Sequence, residues 1–104
     1  MRAFLVSDNH DSLVAMRLAG IEGVVVHGRE ATEEAIDRVI REMRDVGILL
    51  VTELAAKAAP EKVRQLRQSG ELPLLVEIPD RHGTRRGEDF LTRYVQEAIG
   101  VNMG

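Results

Sequence analysis

The stretch Gly47-Ile48-Leu49-Leu50-Val51-Thr52-Glu53 decides the fold, because it is a short apolar run that ends on a hydroxyl and a carboxylate. A strand buried on both faces has no solvent side, so its residues are continuously apolar instead of alternating. The run begins at Gly47 and is too short for a buried helix. We therefore predict the central strand of a parallel sheet, with the other elements packed beside it and over it.

Three further apolar runs predict the neighbouring strands. They are Ala3-Phe4-Leu5-Val6, Gly23-Val24-Val25-Val26 and Leu72-Pro73-Leu74-Leu75-Val76-Glu77-Ile78-Pro79. Turn-favouring residues follow the first two runs, Ser7-Asp8-Asn9 and His27-Gly28 respectively. The prolines near the ends of the last run favour an edge or terminal strand, since proline cannot donate a ladder hydrogen bond.

Helical patterns occupy the segments between these strands. In the first helix, Val14, Leu18 and Ile21 recur at helical spacing, Asp11 or Ser12 is the predicted N-cap, and Gly20 marks the end. The second helix has a predicted N-cap at Thr32 and an apolar stripe formed by Ile36, Val39, Ile40 and Met43. It also has two pairs in which an acidic residue precedes a basic one by four positions, Glu34–Arg38 and Asp37–Arg41.

Proline and glycine divide the second half of the chain. Residues 54–59 favour a helix, Pro60 opens a second helix through Val63 and Leu66, and that helix stops at Gly70. A polar loop with three arginines follows at 80–87. The last predicted helix, at 88–100, has a broad apolar face formed by Phe90, Leu91, Tyr94, Val95, Ala98 and Ile99.

The alternation of strands and helices predicts a small four-stranded parallel sheet of order 2-1-3-4, flanked by helices, in a flavodoxin-like or receiver-like α/β fold. We expect one domain over residues 1–104: an α/β core at 1–79, a basic loop at 80–87 and a C-terminal helix at 88–100. The basic loop leaves that last helix free to pack elsewhere.

Bulk properties exclude several classes of protein. The 104-residue chain has a net charge of −3, which argues mildly against nucleic acid as the main partner, and it has no cysteine for disulfides or thiolate catalysis. No signal peptide and no apolar run of the ~18–20 residues that span a bilayer are visible. We therefore expect a soluble, cytoplasmic protein without direct membrane insertion.

The predicted carboxyl ends of the strands form the edge at which open α/β sheets bind ligands. A phosphoacceptor site of the response-regulator kind needs an acidic pair for Mg²⁺ and a downstream lysine at this edge. Here Glu53 stands near the acceptor position, Asp8 is alone, and no lysine follows Lys62. We therefore interpret Asp8 as a turn former and Glu53 as a carboxylate at a helix start.

Other catalytic and ligand-binding patterns are equally weak. No glycine-rich phosphate motif is present, and the histidines at 10, 27 and 82 lack paired metal-ligand spacing. Ser7, His27 and Asp8 form a triad only on paper. Arg81, Arg85 and Arg86 can bind an anion or nucleic acid, but without interleaved aromatics they favour a solvated loop or an acidic protein partner. We predict no enzyme, no cofactor and no metal.

A family resemblance is carried, in order along the chain, by the segments 17–21 (Arg-Leu-Ala-Gly-Ile), 47–53, 73–79, 87–90 (Gly-Glu-Asp-Phe) and 94–101. These segments resemble the F subunit of V-type and archaeal-type (A-type) ATP synthases. Ala15-Met16 departs from the Gly-Phe that is common in that family. The resemblance implies a non-catalytic rotor component of the central stalk, bound to the coiled coil of the D subunit. ATP hydrolysis or synthesis, coupled to H⁺ or Na⁺ transport, then occurs elsewhere in the complex, and the closing helix modulates it.

For a rotor component we expect an interface with an apolar patch surrounded by charge pairs. The candidate interface residues are Arg17, Arg81, Arg85, Arg86, Phe90 and Tyr94. For Phe90 and Tyr94, burial within the chain is the competing interpretation. The alternative function is a stand-alone receiver-like interaction module without phosphorylation, followed by an enzyme built on the same fold.

Overall fold

A computed structural model describes residues 1–79. These residues form, in order, β1 (Arg2–Ser7), α1 (His10–Leu18), β2 (Glu22–Val25), α2 (Arg29–Glu42), β3 (Val46–Thr52), α3 (Glu53–Ala58), α4 (Pro60–Ser69) and β4 (Leu74–Ile78). The predicted basic loop and the helix at 88–100 lie outside the described residues.

The strands form one parallel sheet of order β2-β1-β3-β4, as the sequence predicts. Leu5 of β1 pairs with Gly23 of β2 and with Leu50 of β3, and Leu50 pairs in turn with Val76 of β4. The strand β3 is therefore an inner strand, which explains its continuous apolar sequence. The proline-flanked strand β4 lies at an edge of the sheet, also as predicted.

Each face of the sheet has its own hydrophobic core. One face packs against α2, α3 and α4, and its buried residues include Phe4, Val6, Ile36, Val39, Leu49, Val51, Ala55, Val63 and Leu75. The other face packs against α1, and its buried residues are Leu5, Leu13, Ala15, Met16, Ile21, Leu50 and Ile78. The core is aliphatic, as expected from a chain with three aromatic residues.

Of Val14, Leu18 and Ile21, which recur at helical spacing, Ile21 is buried and follows the end of α1, but the other two do not form a buried stripe with it. Val14 and Leu18 are 47% and 70% exposed, whereas Leu13 and Met16 are buried. The helix has two overlapping aliphatic stripes, and the sheet buries the one that also contains the small residue Ala15. A small side chain lets the helix approach the strands closely, so packing and not periodicity selects the buried face.

The predicted N-caps of the first two long helices are also wrong. The side chain of Asn9, not Asp11 or Ser12, caps α1 by accepting a hydrogen bond from the Ser12 N–H at 2.7 Å. The helix α2 begins earlier than predicted, at Arg29, so Thr32 lies inside it. There Thr32 is fully buried and its hydroxyl donates to the Gly28 carbonyl at 2.7 Å.

The apolar stripe of α2 is confirmed at Ile36 and Val39, which are buried, and Met43 packs against the same core. Ile40 is 39% exposed and lies at the margin of the stripe. The predicted pairs Glu34–Arg38 and Asp37–Arg41 do not form. Asp37 instead pairs with Lys62 of α4 at 2.8 Å, and Arg38 pairs with Glu42 at 3.4 Å.

The break between α3 and α4 is confirmed. Pro60 occupies the first turn of α4, where its missing N–H is no loss, and α4 ends at Gly70 in the left-handed conformation with φ of 70°. Within residues 1–79, no helix has the length and apolar character needed to cross a membrane.

Candidate functional site

The carboxyl ends of β1 and β3 are joined by a side-chain hydrogen bond. The hydroxyl of Thr52, the last residue of β3, donates to Oδ1 of Asp8 at 2.7 Å. The same hydroxyl accepts a hydrogen bond from the Asp8 backbone N–H at 3.1 Å. Thr52 is buried and Asp8 is half-buried, so this pair fixes the turn after β1 to the end of β3.

Two further residues complete this network within the turn. The Ser7 hydroxyl donates to the Asn9 carbonyl at 2.8 Å and accepts from the Asn9 N–H at 3.0 Å. The amide of Asn9 donates to Oδ1 of Asp8 at 3.0 Å while its oxygen caps α1. Among residues 1–79, every buried side-chain nitrogen or oxygen has a hydrogen-bond partner.

This network confirms the interpretation of Asp8 as a turn former. Oδ1 of Asp8 accepts hydrogen bonds from both Thr52 and Asn9. Within the described residues, no three His, Cys, Asp or Glu side chains come together as a group that could hold a metal. Glu53 opens α3 as predicted, one residue beyond the strand end.

The triad assembled from Ser7, His27 and Asp8 does not form. The Ser7 hydroxyl is buried and is engaged by the main chain of Asn9, whereas His27 is exposed in the loop after β2. His10 is exposed at the first turn of α1. His82 lies outside the described residues.

Of the predicted interface residues, the structure describes Arg17. It lies in the last turn of α1, is exposed, and takes part in none of the ion pairs found in residues 1–79. Arg81, Arg85, Arg86, Phe90 and Tyr94 lie outside the described residues, so their assignment stays a prediction.

The structure adds exposed apolar residues that the sequence analysis missed. Val14 and Leu18 of α1 are 47% and 70% exposed, and Leu74 at the start of β4 is 59% exposed. The register places Leu74 beside Ile48, which belongs to the same α1 side of the sheet. The sequence contains one indication that Val14 and Leu18 could be exposed. Leu13 and Met16 form a second stripe that satisfies helical spacing equally well.

Comparisons with known proteins give one consistent result. The family model described as ATP synthase (F/14-kDa) subunit matches residues 4–95. The chain is 34% identical over 100 residues to the F subunit of the A-type ATP synthase of Methanothermobacter thermautotrophicus, covering 94% of this chain and 92% of that protein. It is 33% identical over 103 residues to the A-type F subunit of Pyrococcus furiosus, covering 95% of each. The F subunit of the V-type ATP synthase of Clostridium botulinum is 28% identical over 99 residues, covering 94% of this chain and 93% of that protein.

Proposed function

This chain belongs to the family of ATP synthase (F/14-kDa) subunits, and we propose that it is the central-stalk rotor component of a V-type or A-type ATPase. In that role it binds the coiled coil of the D subunit and turns with it. It couples or regulates ATP hydrolysis or synthesis with H⁺ or Na⁺ transport by the complex. The observation that carries the proposal is the match over residues 4–95, which includes nearly the whole chain.

A non-catalytic role is consistent with the carboxyl edge of the sheet. At the edge where α/β proteins of this kind bind ligands, the side chains of Thr52, Asp8 and Asn9 hydrogen-bond to one another. These contacts hold the β1–α1 turn in place. In this role the protein also contacts the catalytic hexamer and the membrane-rotor connector, and it is cytoplasmic and peripheral to the membrane.

A rotor component also has to hold its partner while torque is applied. Such an interface needs aliphatic contact area for affinity and charged groups that resist sliding. The outer side of α1 offers both, because Arg17 is exposed on the same helix as the exposed Val14 and Leu18. The arginines of 80–87 and the residues Phe90 and Tyr94 complete the proposed set.

The test is a binding experiment with the D subunit of the same organism. The two purified proteins are mixed and analysed by size-exclusion chromatography with light scattering. We expect a stable one-to-one complex. Two folded proteins that elute separately would refute the stalk assignment. A complex with the D subunit then permits a second measurement, the ATPase rate of the catalytic assembly with and without this protein.

A further inference from the structure

Residues 8–25, here called the α1–β2 segment, are attached to the rest of the described fold mainly through β1. The strand β2 lies at an edge of the sheet and pairs with β1. Its residues are exposed or partly buried, whereas all residues of β3 but Ile48 are buried. The helix α1 packs chiefly against β1 and β2. The segment can therefore leave the sheet without breaking the pairing of β1 with β3 or of β3 with β4.

The ion pairs of the described chain do not hold this segment. Within residues 1–79, those that join different elements link β1 to the turn before β3, α2 to α4, and α4 to β4. The remaining pairs lie within α2 or within α4. Each of these ion pairs is kept when the segment separates from the sheet.

The two hydrophobic cores divide along the same boundary. The segment buries Leu13, Ala15, Met16 and Ile21 in the core on the α1 face. In the core that α2, α3 and α4 form on the other face, the segment takes part through Val24, which is partly buried at its margin. Val26, just beyond the segment, belongs to that second core, and its N–H donates to the Ser7 carbonyl at 2.7 Å. Opening the segment therefore leaves the larger core packed.

One side-chain contact ties the start of the segment to an inner strand. The Thr52 hydroxyl at the end of β3 donates to Oδ1 of Asp8 at 2.7 Å and accepts from the Asp8 N–H at 3.1 Å. The next residue, Asn9, caps α1. Since Thr52 is buried in a strand that stays in the sheet, both hydrogen bonds must break when α1 moves away.

We propose that the α1–β2 segment opens and closes as one cooperative unit, and that the Thr52–Asp8 pair is the latch that holds it closed. Proteins open in contiguous units that often coincide with supersecondary motifs, and the units with the fewest buried contacts open most readily. The segment is such a unit, because a helix and an edge strand share one core that is separate from the larger one. The inference concerns the chain alone and does not depend on the proposed function.

The experiment is native-state hydrogen exchange of the full 104-residue chain, resolved by residue with NMR. Exchange is followed at increasing urea concentrations below the unfolding transition, under conditions in which closing is faster than exchange. The urea dependence of each amide reports the surface that its opening exposes. In the wild type we expect the protected amides of α1 and β2 to share one urea slope, smaller than that of β3 and α2. They should also exchange at least about tenfold faster than the protected amides of β3 and α2.

Three variants separate the latch from general loss of stability. Thr52→Val removes both latch hydrogen bonds and should speed the exchange of the α1 and β2 amides about tenfold. Thr52→Ser keeps the hydroxyl and should change their exchange much less. The matched control is Val39→Ala, which weakens the larger core. It should speed exchange in β3 and α2 but leave α1 and β2 within about twofold of the wild type, because Val39 stays packed when the segment opens.

Three results would overturn the inference. A single opening free energy and urea slope for all protected amides would mean that the segment opens only with the whole molecule. Equal acceleration of the segment and of β3 by Val39→Ala would show that opening includes the larger core. If the segment opens separately but Thr52→Val leaves its exchange unchanged, the Thr52–Asp8 pair is no latch. Failure of the protein to bind the D subunit would refute the proposed function and leave these measurements unaffected.

Discussion

At the scale of single residues, the Thr52 hydroxyl links the carboxyl ends of β1 and β3. We expect Thr52→Val to destabilise the protein by about 1–3 kcal/mol, because it leaves the part-buried N–H of Asp8 without its partner and removes one of the two hydrogen bonds that Oδ1 of Asp8 accepts. Urea denaturation measures this change in the free energy of unfolding.

The control for that substitution is Thr52→Ser, which keeps the hydroxyl and removes only a methyl group. Its cost should be smaller, near the value for one buried methyl group, about 1 kcal/mol. An equal loss in both variants would show that packing and not hydrogen bonding makes Thr52 important.

The ion pair of Arg2 and Asp45 predicts a pH dependence of stability. Nε of Arg2 donates to Oδ2 of Asp45 at 2.7 Å and Nη2 donates to Oδ1 at 3.0 Å. These hydrogen bonds hold the pKa of the Asp45 carboxyl below its ordinary value. The unfolded state therefore binds more protons than the folded state below about pH 4, so stability falls as the pH falls through that range.

This contribution should be present above about pH 4 and lost as the pH drops through the folded-state pKa of Asp45. The measurement is the difference in unfolding free energy between the wild type and Asp45→Asn at pH 6 and at pH 3. The difference should shrink at pH 3 and also in 1 M salt, because both side chains are exposed. A constant difference across this range would contradict the pKa assignment.

At the scale of secondary-structure elements, the edge strand β2 depends on the absence of a side chain at Gly23. A Cβ added there would lie 2.7 Å from both Cβ and the backbone oxygen of Leu5, and 3.2 Å from Cδ1 of Leu13. The backbone of an inner strand cannot move aside. We expect Gly23→Ala to destabilise the protein by about 1–3 kcal/mol, as overpacking does, measured by urea denaturation.

Gly47 of β3 provides the matched control. A Cβ at Gly47 would meet the side chain of Met1, which is flexible and largely exposed and can swing away. Gly47→Ala should therefore cost much less than Gly23→Ala. Similar losses in the two variants would mean that glycine in these strands matters for another reason than the close approach of Leu5.

At the scale of the whole molecule, the two faces of the sheet are unequal in the described residues. Three helices cover one face, whereas α1 packs over the other, chiefly against β1 and β2. The α1 side also has two strongly exposed aliphatic residues, Leu18 and Leu74. Within residues 1–79, the α1 side of the sheet is therefore the less covered one.

The arginines of the basic loop can be tested at this scale too. Arg85→Glu combined with Arg86→Glu should weaken association with the D subunit while leaving the circular dichroism spectrum unchanged, because like charges then face an acidic partner. A matched control, Lys57→Glu with Arg64→Glu, changes the net charge equally on exposed sites of α3 and α4. Unchanged binding by the loop variant would remove these arginines from the interface.

The sequence by itself determined the strands, the helix break at Pro60, the helix end at Gly70 and the sheet order. It also contained the family resemblance. These features depend on local rules, since burial on both faces, a missing N–H and left-handed backbone each act within a few residues. The β-α alternation with short connections then leaves few possible topologies.

Only the tertiary structure decided which stripe of α1 is buried and which partners the polar side chains find. Two stripes of similar hydrophobicity are equivalent in sequence until a sheet packs against one of them. Thr52 and Asp8 are 44 residues apart, and Asp37 meets Lys62 across two helices. Periodicity describes one element at a time, whereas these contacts arise when distant elements are brought together, and that packing is what leaves Val14 and Leu18 on the surface.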